Sequence, residues 1–314
     1  MKQSFCFVLN PLEVMGQVPV ELIPGHFLQK ADMEQTNLIR EQLHRHYARH
    51  YPLPAYEYEW LEEVKDDKGG SSRGSRELSP NQYRYWIISF DAPNTHTDAL
   101  QLAVNLLQDD LDLGFHFMYW KGESQGIISG HSNVSSYFES HPGMFEKGGA
   151  DTIDAAQLSV ISDYFQSIKA CEKDQPHIYK TVRDFFQLKS LPRNSSMVIL
   201  GYFAAIESLV THDPKDDFNS LNHQISTKMA LLSKRFERQL DYDSHFGQLG
   251  REQVWKKLYG YRSALAHGTP ADFKTKFQIL KDPANAHNFL KEAAKLVLLF
   301  AMKEPDFLAD LKKC

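Results

Sequence analysis

The chain has 314 residues, of which 42% are hydrophobic and 24% are charged, and its formal net charge is -5. This composition is typical of a globular protein with room for two domains of ordinary size, and it excludes a fibrous or disordered chain. The acidic balance argues against a protein that coats nucleic acid through its overall charge.

The start of the chain and its apolar runs indicate where the protein resides. No apolar run reaches the roughly 18 residues that a membrane helix requires, and the polar first residues do not resemble a secretory signal. We therefore expect a cytoplasmic protein with no membrane partner. Because Cys6, Cys171 and Cys314 are widely spaced, we expect reduced thiols and neither disulfides nor a zinc knuckle.

The first half, residues 1–150, mixes strand and helix signals, which predicts an α+β domain. Aromatic and β-branched residues predict strands, and apolar residues at helical spacing predict helices. The predicted strands are 3–9, 18–23, 83–91 and 113–121, and the predicted helices are 27–51 and 97–111. The almost wholly polar stretch 64–81 predicts a mobile loop within this domain.

The second half, residues 151–314, lacks such strand signals and predicts an all-α domain. Glycine and proline are frequent in 140–150, so we place the domain boundary there. Long amphipathic segments with short connections are typical of an antiparallel helical bundle. The predicted helices are 154–172, 177–191, 195–211, 221–238, 248–266 and 284–302, with a short one from Pro305. Ser195 and Gly268 have the residue types expected at a helix beginning and end.

Two polar motifs each have a functional and a structural interpretation. Gly122-Glu123-Ser124-Gln125-Gly126 matches the nucleophile elbow of serine hydrolases, but a helix must follow that elbow. Residues 127–132 lack helical spacing, so we favour a turn between two strands.

The second motif, His212-Asp213-Pro214-Lys215-Asp216-Asp217, carries atoms that bind metals. We favour a proline-containing loop between two helices. Phosphate-binding glycine loops and zinc-peptidase helices are absent from the sequence. We therefore predict no cofactor and no metal site.

The predicted helix that ends before Gly268 carries the strongest functional candidates. Arg262 and Ser263 lie beside its apolar stripe, which predicts a partly enclosed guanidinium. Ideal helix geometry separates Arg262 from His267 by about 140° around the axis and roughly 7.5 Å along it. The two side chains can therefore share a site only along a groove that a second helix or chain completes.

Each candidate also has a purely structural interpretation. A histidine in the last helical turn interacts favourably with the helix dipole. An arginine beside an apolar stripe commonly forms a salt bridge, for which Glu207 and Glu252 are the candidate partners. Between 221 and 268 the basic residues outnumber the acidic ones by eight to four, which fits either a solvated surface or a basic groove.

The segment Arg262-Ser263-Ala264-Leu265-Ala266-His267 resembles the signature of the HEPN superfamily, and more closely that of its ApeA-like group. Upstream, 200–209 is similar to the family helix that carries an acidic residue, and 225–232 is similar to the next helix. The resemblance covers roughly 195–302. One departure is Ser263, because the family often has Asn or Asp there.

The resemblance implies a metal-independent endoribonuclease that acts on RNA as a homodimer, in phage defence or in a toxin–antitoxin system. His267 would then transfer protons, Arg262 would hold the scissile phosphate and Ser263 would help to orient the site. The first domain would serve as a sensor or regulatory module.

The alternative that the resemblance leaves open is an inactive HEPN-type bundle that serves as a dimerisation or adaptor module for a partner protein. A nuclease needs Arg262 and His267 accessible in a basic groove. An adaptor would bury Arg262 in a salt bridge and use His267 as a helix cap.

Overall fold

The protein divides into two compact units, Met1–Phe165 and Gln166–Cys314. Its structure, a computed structural model, describes residues 4–8, 12–47, 54–60, 64–65, 71–72, 75–91, 96–108, 118–120, 126–128, 151–192, 195–212 and 220–313. The division falls within a helix that begins at Ala155, whereas the sequence places the boundary at 150. The predicted boundary loop at 140–150 lies outside the described residues.

Among its described residues, the first unit contains strands, three helices and the first part of the helix that begins at Ala155. The strands are β1 (Ser4–Val8), β2 (Leu12–Met15), β3 (Val20–Ile23), β4 (His26–Lys30), β5 (Tyr58–Trp60), β6 (Val64–Lys65), β7 (Ser71–Ser72), β8 (Ser75–Glu77), β9 (Trp86–Phe90), β10 (Met118–Trp120), β11 (Gly126–Ile128) and β12 (Asp151–Asp154). The helices are α1 (Met33–Tyr47), α2 (Pro54–Glu57) and α3 (Thr97–Asn105). The predicted α+β class of this half is confirmed.

A six-stranded antiparallel sheet, in the order β11-β10-β1-β9-β4-β3, forms the core of the first unit. Every residue of β1 and β9 is buried. Ser4 lies opposite Phe90 and Val8 lies opposite Trp86. These two strands consist largely of aromatic and β-branched residues, which pack well on a pleated surface. The strands predicted at 3–9 and 83–91 are therefore confirmed.

The helix predicted over 27–51 is wrong in its first part. Phe27 lies in β4, which pairs with β3 through a turn at Gly25, where φ is +76°. The helix begins at Met33, because Asp32 and Gln35 each accept a hydrogen bond from the other's backbone N–H at 2.8 Å. This reciprocal arrangement is a capping box.

Three further strand pairs differ from the sequence interpretation. β2 pairs in parallel with β12, which lies late in the sequence of this unit, with Val14 opposite Ile153. Neither strand was predicted. Where a loop is predicted at 64–81, β6 pairs with β7, β8 pairs with β5, and a 3-10 turn spans Pro80–Gln82. The remaining residues of that stretch up to 74 lie outside the described residues.

The serine-hydrolase motif is followed by a strand. Residues 121–125 lie outside the described part, but Gly126 begins β11, which pairs antiparallel with β10. Trp120 and Gly126 are opposite each other in this pair. A nucleophile elbow requires a helix at that position, so the strand that follows the motif does not fit the elbow. The predicted turn itself, at 121–125, lies outside the described residues.

The second unit is largely helical in its described residues, as predicted, although the predicted all-α half, 151–314, begins with the strand β12. The helix that joins the units is α4 (Ala155–Asp174), followed by α5 (Pro176–Gln187), α6 (Ser196–Val210), α7 (Leu221–Leu232), α8 (Tyr242–Phe246), α9 (Arg251–Ala266), α10 (Pro283–Lys303) and α11 (Pro305–Lys313). The helix predicted over 221–238 ends earlier, at Leu232, and α8 was not predicted. Within the described ranges, no helix has the length and apolar character needed to cross a bilayer.

Helix α6 lies at the centre of the second unit. It packs against α5, α7, α9, α10 and α11, which is why its sequence is apolar on nearly all sides. Ser195 caps its beginning by accepting a hydrogen bond from the N–H of Met197. Phe203 of α6 contacts Trp255 of α9 edge to face. This packing fixes the relative position of the two helices that carry Glu207 and Arg262.

Candidate functional site

Arg262 lies on α9 beside the buried face of that helix. Of the predicted apolar stripe, Val254, Leu258 and Tyr261 are buried and Leu265 is half-buried. The Arg262 Nη2 donates a hydrogen bond to Glu207 Oε2 at 3.2 Å. The Arg262 side chain remains 29% exposed and that of Glu207 17% exposed. The guanidinium is therefore held by a half-buried carboxylate while part of it faces solvent.

The second candidate partner of Arg262, Glu252, lies elsewhere. Its carboxylate is 4.0 Å from Lys256, one turn along the same helix. The structure thus selects Glu207, on α6, from the two predicted partners. Sequence reasoning missed Tyr259, whose ring centroid lies 5.7 Å from the Arg262 guanidinium carbon. Its position three residues before Arg262 on one helix is the signal that could have identified it.

The Glu207–Arg262 pair leaves polar atoms without partners. Glu207 Oε1 and Arg262 Nε are buried and form no hydrogen bond among the described residues. Arginine and a carboxylate can form two parallel hydrogen bonds, but this pair forms one. The site therefore retains hydrogen-bonding capacity on both side chains.

Burial controls the protonation of the groups around Arg262. Burial raises the pKa of Glu207, and the positive charge and hydrogen bond of Arg262 oppose this effect only in part. Burial also raises the pKa of Tyr259, with the Glu207 charge adding to the rise and Arg262 opposing it. The arrangement keeps Tyr259 as a neutral hydroxyl beside the ion pair.

His267 lies at the C-terminal end of α9 and is exposed. Its N–H donates to the carbonyl of Ser263 at 3.1 Å, and Gly268 follows with φ at +66°. The N–H of Thr269 donates to the Ala264 carbonyl at 2.8 Å, which completes a Schellman motif. The helix end predicted at Gly268 is confirmed.

The side chains of the predicted site are thus arranged in two parts. Arg262 is joined to Glu207, whereas the imidazole of His267 forms no hydrogen bond within the described ranges and remains open to solvent. Ser263 is half-buried and lies between them in the sequence of α9. Its backbone carbonyl accepts a hydrogen bond from the N–H of His267.

The histidine of the second polar motif has a structural role. His212 Nδ1 is 2.5 Å from the carbonyl oxygen of Lys312, and its backbone N–H donates to Gln224. Asp213 to Asp217 lie outside the described residues. Across the residues that are described, no group of three or more His, Cys, Asp or Glu side chains could hold a metal ion.

The cysteines do not form a reactive centre in the described part of the chain. Cys6 and Cys171 are free and buried. Burial raises the pKa of both thiols, with a nearby Asp174 adding to the rise at Cys171. Both therefore remain protonated near neutral pH, and Cys314 lies outside the described residues.

Several basic residues between 221 and 268 are committed to contacts within the chain. Arg238, Lys256 and Arg262 each pair with a glutamate, and Lys228 is buried. The positive charge of this region is thus partly neutralised within the bundle.

Comparisons with known proteins leave the family open. No protein-family model matches the chain, and no curated protein matches it. No solved structure matches it either.

Proposed function

We propose that the chain is a HEPN-type, metal-independent endoribonuclease. The observation that carries the proposal is the state of Arg262, which is oriented by Glu207 at 3.2 Å yet remains 29% exposed. A guanidinium fixed in this way can receive a phosphate without first losing the freedom of its own side chain.

His267 supplies the second chemical group of the proposed site. Its imidazole is exposed at the end of α9, and imidazole is the side chain best suited to proton transfer near neutral pH. It would take the proton from a ribose 2′-hydroxyl, whose oxygen attacks the adjacent phosphorus and expels the 5′-oxygen of the next nucleotide. The leaving 5′-oxygen would take up a proton from a protonated imidazole or from water. The products are a 2′,3′-cyclic phosphate and a free 5′-hydroxyl, and DNA is not cut.

Arg262 and Ser263 have supporting roles in this reaction. Arg262 would pair with the phosphate oxygens, where negative charge grows in the transition state. Ser263 would fix the helix end that bears His267. With proton transfer and charge stabilisation supplied by side chains, the proposed reaction requires no metal.

A homodimer is part of the proposal. Because Arg262 and His267 project from different sides of α9, a groove formed with the same helix of a second chain would bring both residue types onto one RNA. The first unit would then act as a sensor or regulatory module that responds to a partner protein, in phage defence or as part of a toxin–antitoxin pair.

The test is cleavage of end-labelled tRNA and messenger RNA by the purified full chain in the presence of EDTA. We expect His267→Ala to lower the cleavage rate by ~100- to 10,000-fold, and Arg262→Ala by ~100- to 1,000-fold. Arg262→Lys should recover little, because an ammonium lacks the planar fork of donors. Lys256→Ala removes an exposed cation from the same helix and should leave the rate unchanged.

The ends of the fragments provide an independent readout. Cyclic phosphate ends that require both side chains support the proposal. A wild-type protein that is folded and dimeric but leaves every RNA intact, or variants that cut as fast as wild type, contradicts it.

A second candidate is a HEPN-type bundle without nuclease activity that serves as a dimerisation or adaptor module. Two observations favour it: Arg262 is ion-paired with Glu207, and His267 is the C-cap residue of α9. In this case Arg262→Ala should weaken the bundle, because Glu207 would be left without its partner. The two candidates are separated by measuring stability and cleavage on the same variants.

A further inference from the structure

A groove runs along α6 on the side where α5 and α11 flank it. It consists of two adjoining cavities of about 350 Å³ and about 460 Å³. The cavities share three lining residues, His177, Ser208 and Lys312. Cavities of roughly 300 to 1,000 Å³ are typical of small-molecule sites, so each compartment has the size of a ligand pocket.

The floor of the groove is open because α6 presents small residues there. Gly201, Ala204, Ala205 and Ser208 follow one another at helical spacing along the larger cavity. A Cβ atom on Gly201 would collide with the side chain of Leu188. Glycine at 201 therefore allows Leu188 to close one end of the groove.

The remaining walls are mainly apolar. Ile178, Leu209 and Leu308 line the smaller cavity, and Phe185 and Leu188 line the larger one. Binding sites for small molecules combine such walls with a few polar groups that fix the ligand's orientation. The shared residues, at the junction of the two cavities, supply those polar groups.

Lys312 is the charged group at this junction. Its Nζ donates to the backbone carbonyl of Ser208 at 2.7 Å, and the side chain is half-buried. The other lysines of the groove are paired, Lys180 with Asp184 and Lys313 with Asp310. Among the described residues, no carboxylate forms an ion pair with Lys312. A half-buried ammonium that has no ion-pair partner among the described residues and lies beside apolar walls interacts favourably with an incoming anion.

We propose that this groove binds a small amphiphilic anion, whose carboxylate or phosphate pairs with Lys312 and whose apolar part fills the adjoining cavities. This site is separate from the proposed cleavage site and does not depend on it. A nucleic-acid strand fits the groove less well, because it would need a row of free cations. Here two of the three lysines are already paired.

The test is calorimetric titration of the full chain with decanoate, with monodecyl phosphate and with 1-decanol as the neutral match. We expect both anions to bind at least tenfold more tightly than decanol. The anion that binds more tightly identifies the headgroup, and either order supports the proposal.

Variants locate the binding. Lys312→Ala should weaken binding of both anions at least tenfold without affecting decanol, and Lys312→Arg should retain most of it. Ala204→Leu, at an exposed position of the floor, should abolish binding of all three by filling the larger cavity. Lys303→Ala, which removes an exposed cation elsewhere, should leave binding unchanged.

Three results would overturn the proposal. They are equal affinity for decanol and the anions, unchanged anion binding in Lys312→Ala, and no binding of any probe at 1 mM. Circular dichroism and thermal unfolding show whether each variant is folded. Ala204→Leu and Lys312→Ala change different properties of the groove, so the failure of one variant to fold leaves the other as the test.

Discussion

Glu207 lies at a largely buried position, where an ionised carboxylate lowers the stability of the fold unless it is paired. Its side chain is 17% exposed, and one of its oxygens forms no hydrogen bond among the described residues. Arg262 provides the compensating charge from the neighbouring helix. The raised pKa of Glu207 indicates that this compensation is incomplete.

The incomplete compensation predicts how stability depends on pH. Because the folded-state pKa of Glu207 lies above its ordinary value of 4.5, the folded chain binds this proton more tightly than the unfolded chain does. The contribution of Glu207 to stability is therefore greatest below pH 4.5 and decreases as pH rises through the folded-state pKa. We therefore expect the free energy of unfolding of Glu207→Gln, measured with urea, to rise relative to that of wild type as the pH is raised from 4 to 7.

A matched carboxylate controls for general effects of charge. Glu252→Gln removes an exposed glutamate from α9, and its stability relative to wild type should vary much less over the same pH range. A Glu207→Gln difference that stays constant with pH would show that burial does not govern this carboxyl.

At the residue scale, sequence reasoning identifies the pair but not its whole environment. Glu207 is one of two predicted partners, because an arginine beside an apolar stripe needs a nearby acid. Choosing between Glu207 and Glu252 requires knowing which helix lies against α9, and local spacing does not contain that information. Tyr259 is missed because its aromatic ring fits an ordinary packing role equally well.

Turning to the elements, the end of α9 depends on one backbone conformation. Gly268 has φ at +66°, and a Cβ atom there would meet no neighbour. Replacement by alanine therefore introduces only a conformational cost. We expect Gly268→Ala to lower the free energy of unfolding by about 1 kcal/mol, measured by urea denaturation.

Gly260, in the interior of the same helix, is the matched control. A Cβ atom at this position would lie 3.6 Å from the ring of Phe277, which is ordinary contact. Gly260→Ala should raise stability by about 0.5 to 1 kcal/mol, because alanine is the better helix former. Two alanine variants that change stability in the same direction would contradict the assigned helix end.

The two helix boundaries show when local sequence is sufficient. The helix end at Gly268 is predicted correctly because a glycine that ends a helix with a positive φ can be recognised from the local sequence alone. The start of α1 is misplaced because Phe27 and Leu28 satisfy both the alternation of a strand and the spacing of a helix. The reciprocal hydrogen bonds of Asp32 and Gln35 decide between the two, and the spacing of these two residues is the sequence signal that was missed.

For the molecule as a whole, the division into two units predicts that core mutations act locally. Ile153 of β12 and Ile225 of α7 are both buried, one in each unit. Alanine at either position should cost about 2 to 5 kcal/mol. In hydrogen exchange, Ile153→Ala should reduce protection in β1 and β9, and Ile225→Ala should reduce it in α7 and α9.

Each variant serves as the control for the other. Protection in the unaltered unit should match that of wild type. If both variants reduce protection in both units equally, the two units unfold as one cooperative structure.

The overall class is predictable because each half has a uniform pattern. Short aromatic and β-branched runs dominate the first half, and long amphipathic segments dominate the second. The pairing of β2 with β12 is not predictable, because two four-residue segments far apart in sequence carry no local sign that they are neighbours. Long-range pairing of this kind is decided by tertiary packing.

That pairing also sets an order of events during synthesis. β2 leaves the ribosome well before its partner β12, which emerges only after nearly all of the first unit has been made. Until then, β2 lacks the strand with which it pairs in the finished unit. The first unit therefore completes its fold only once β12 has emerged, shortly before the helices of the second unit do.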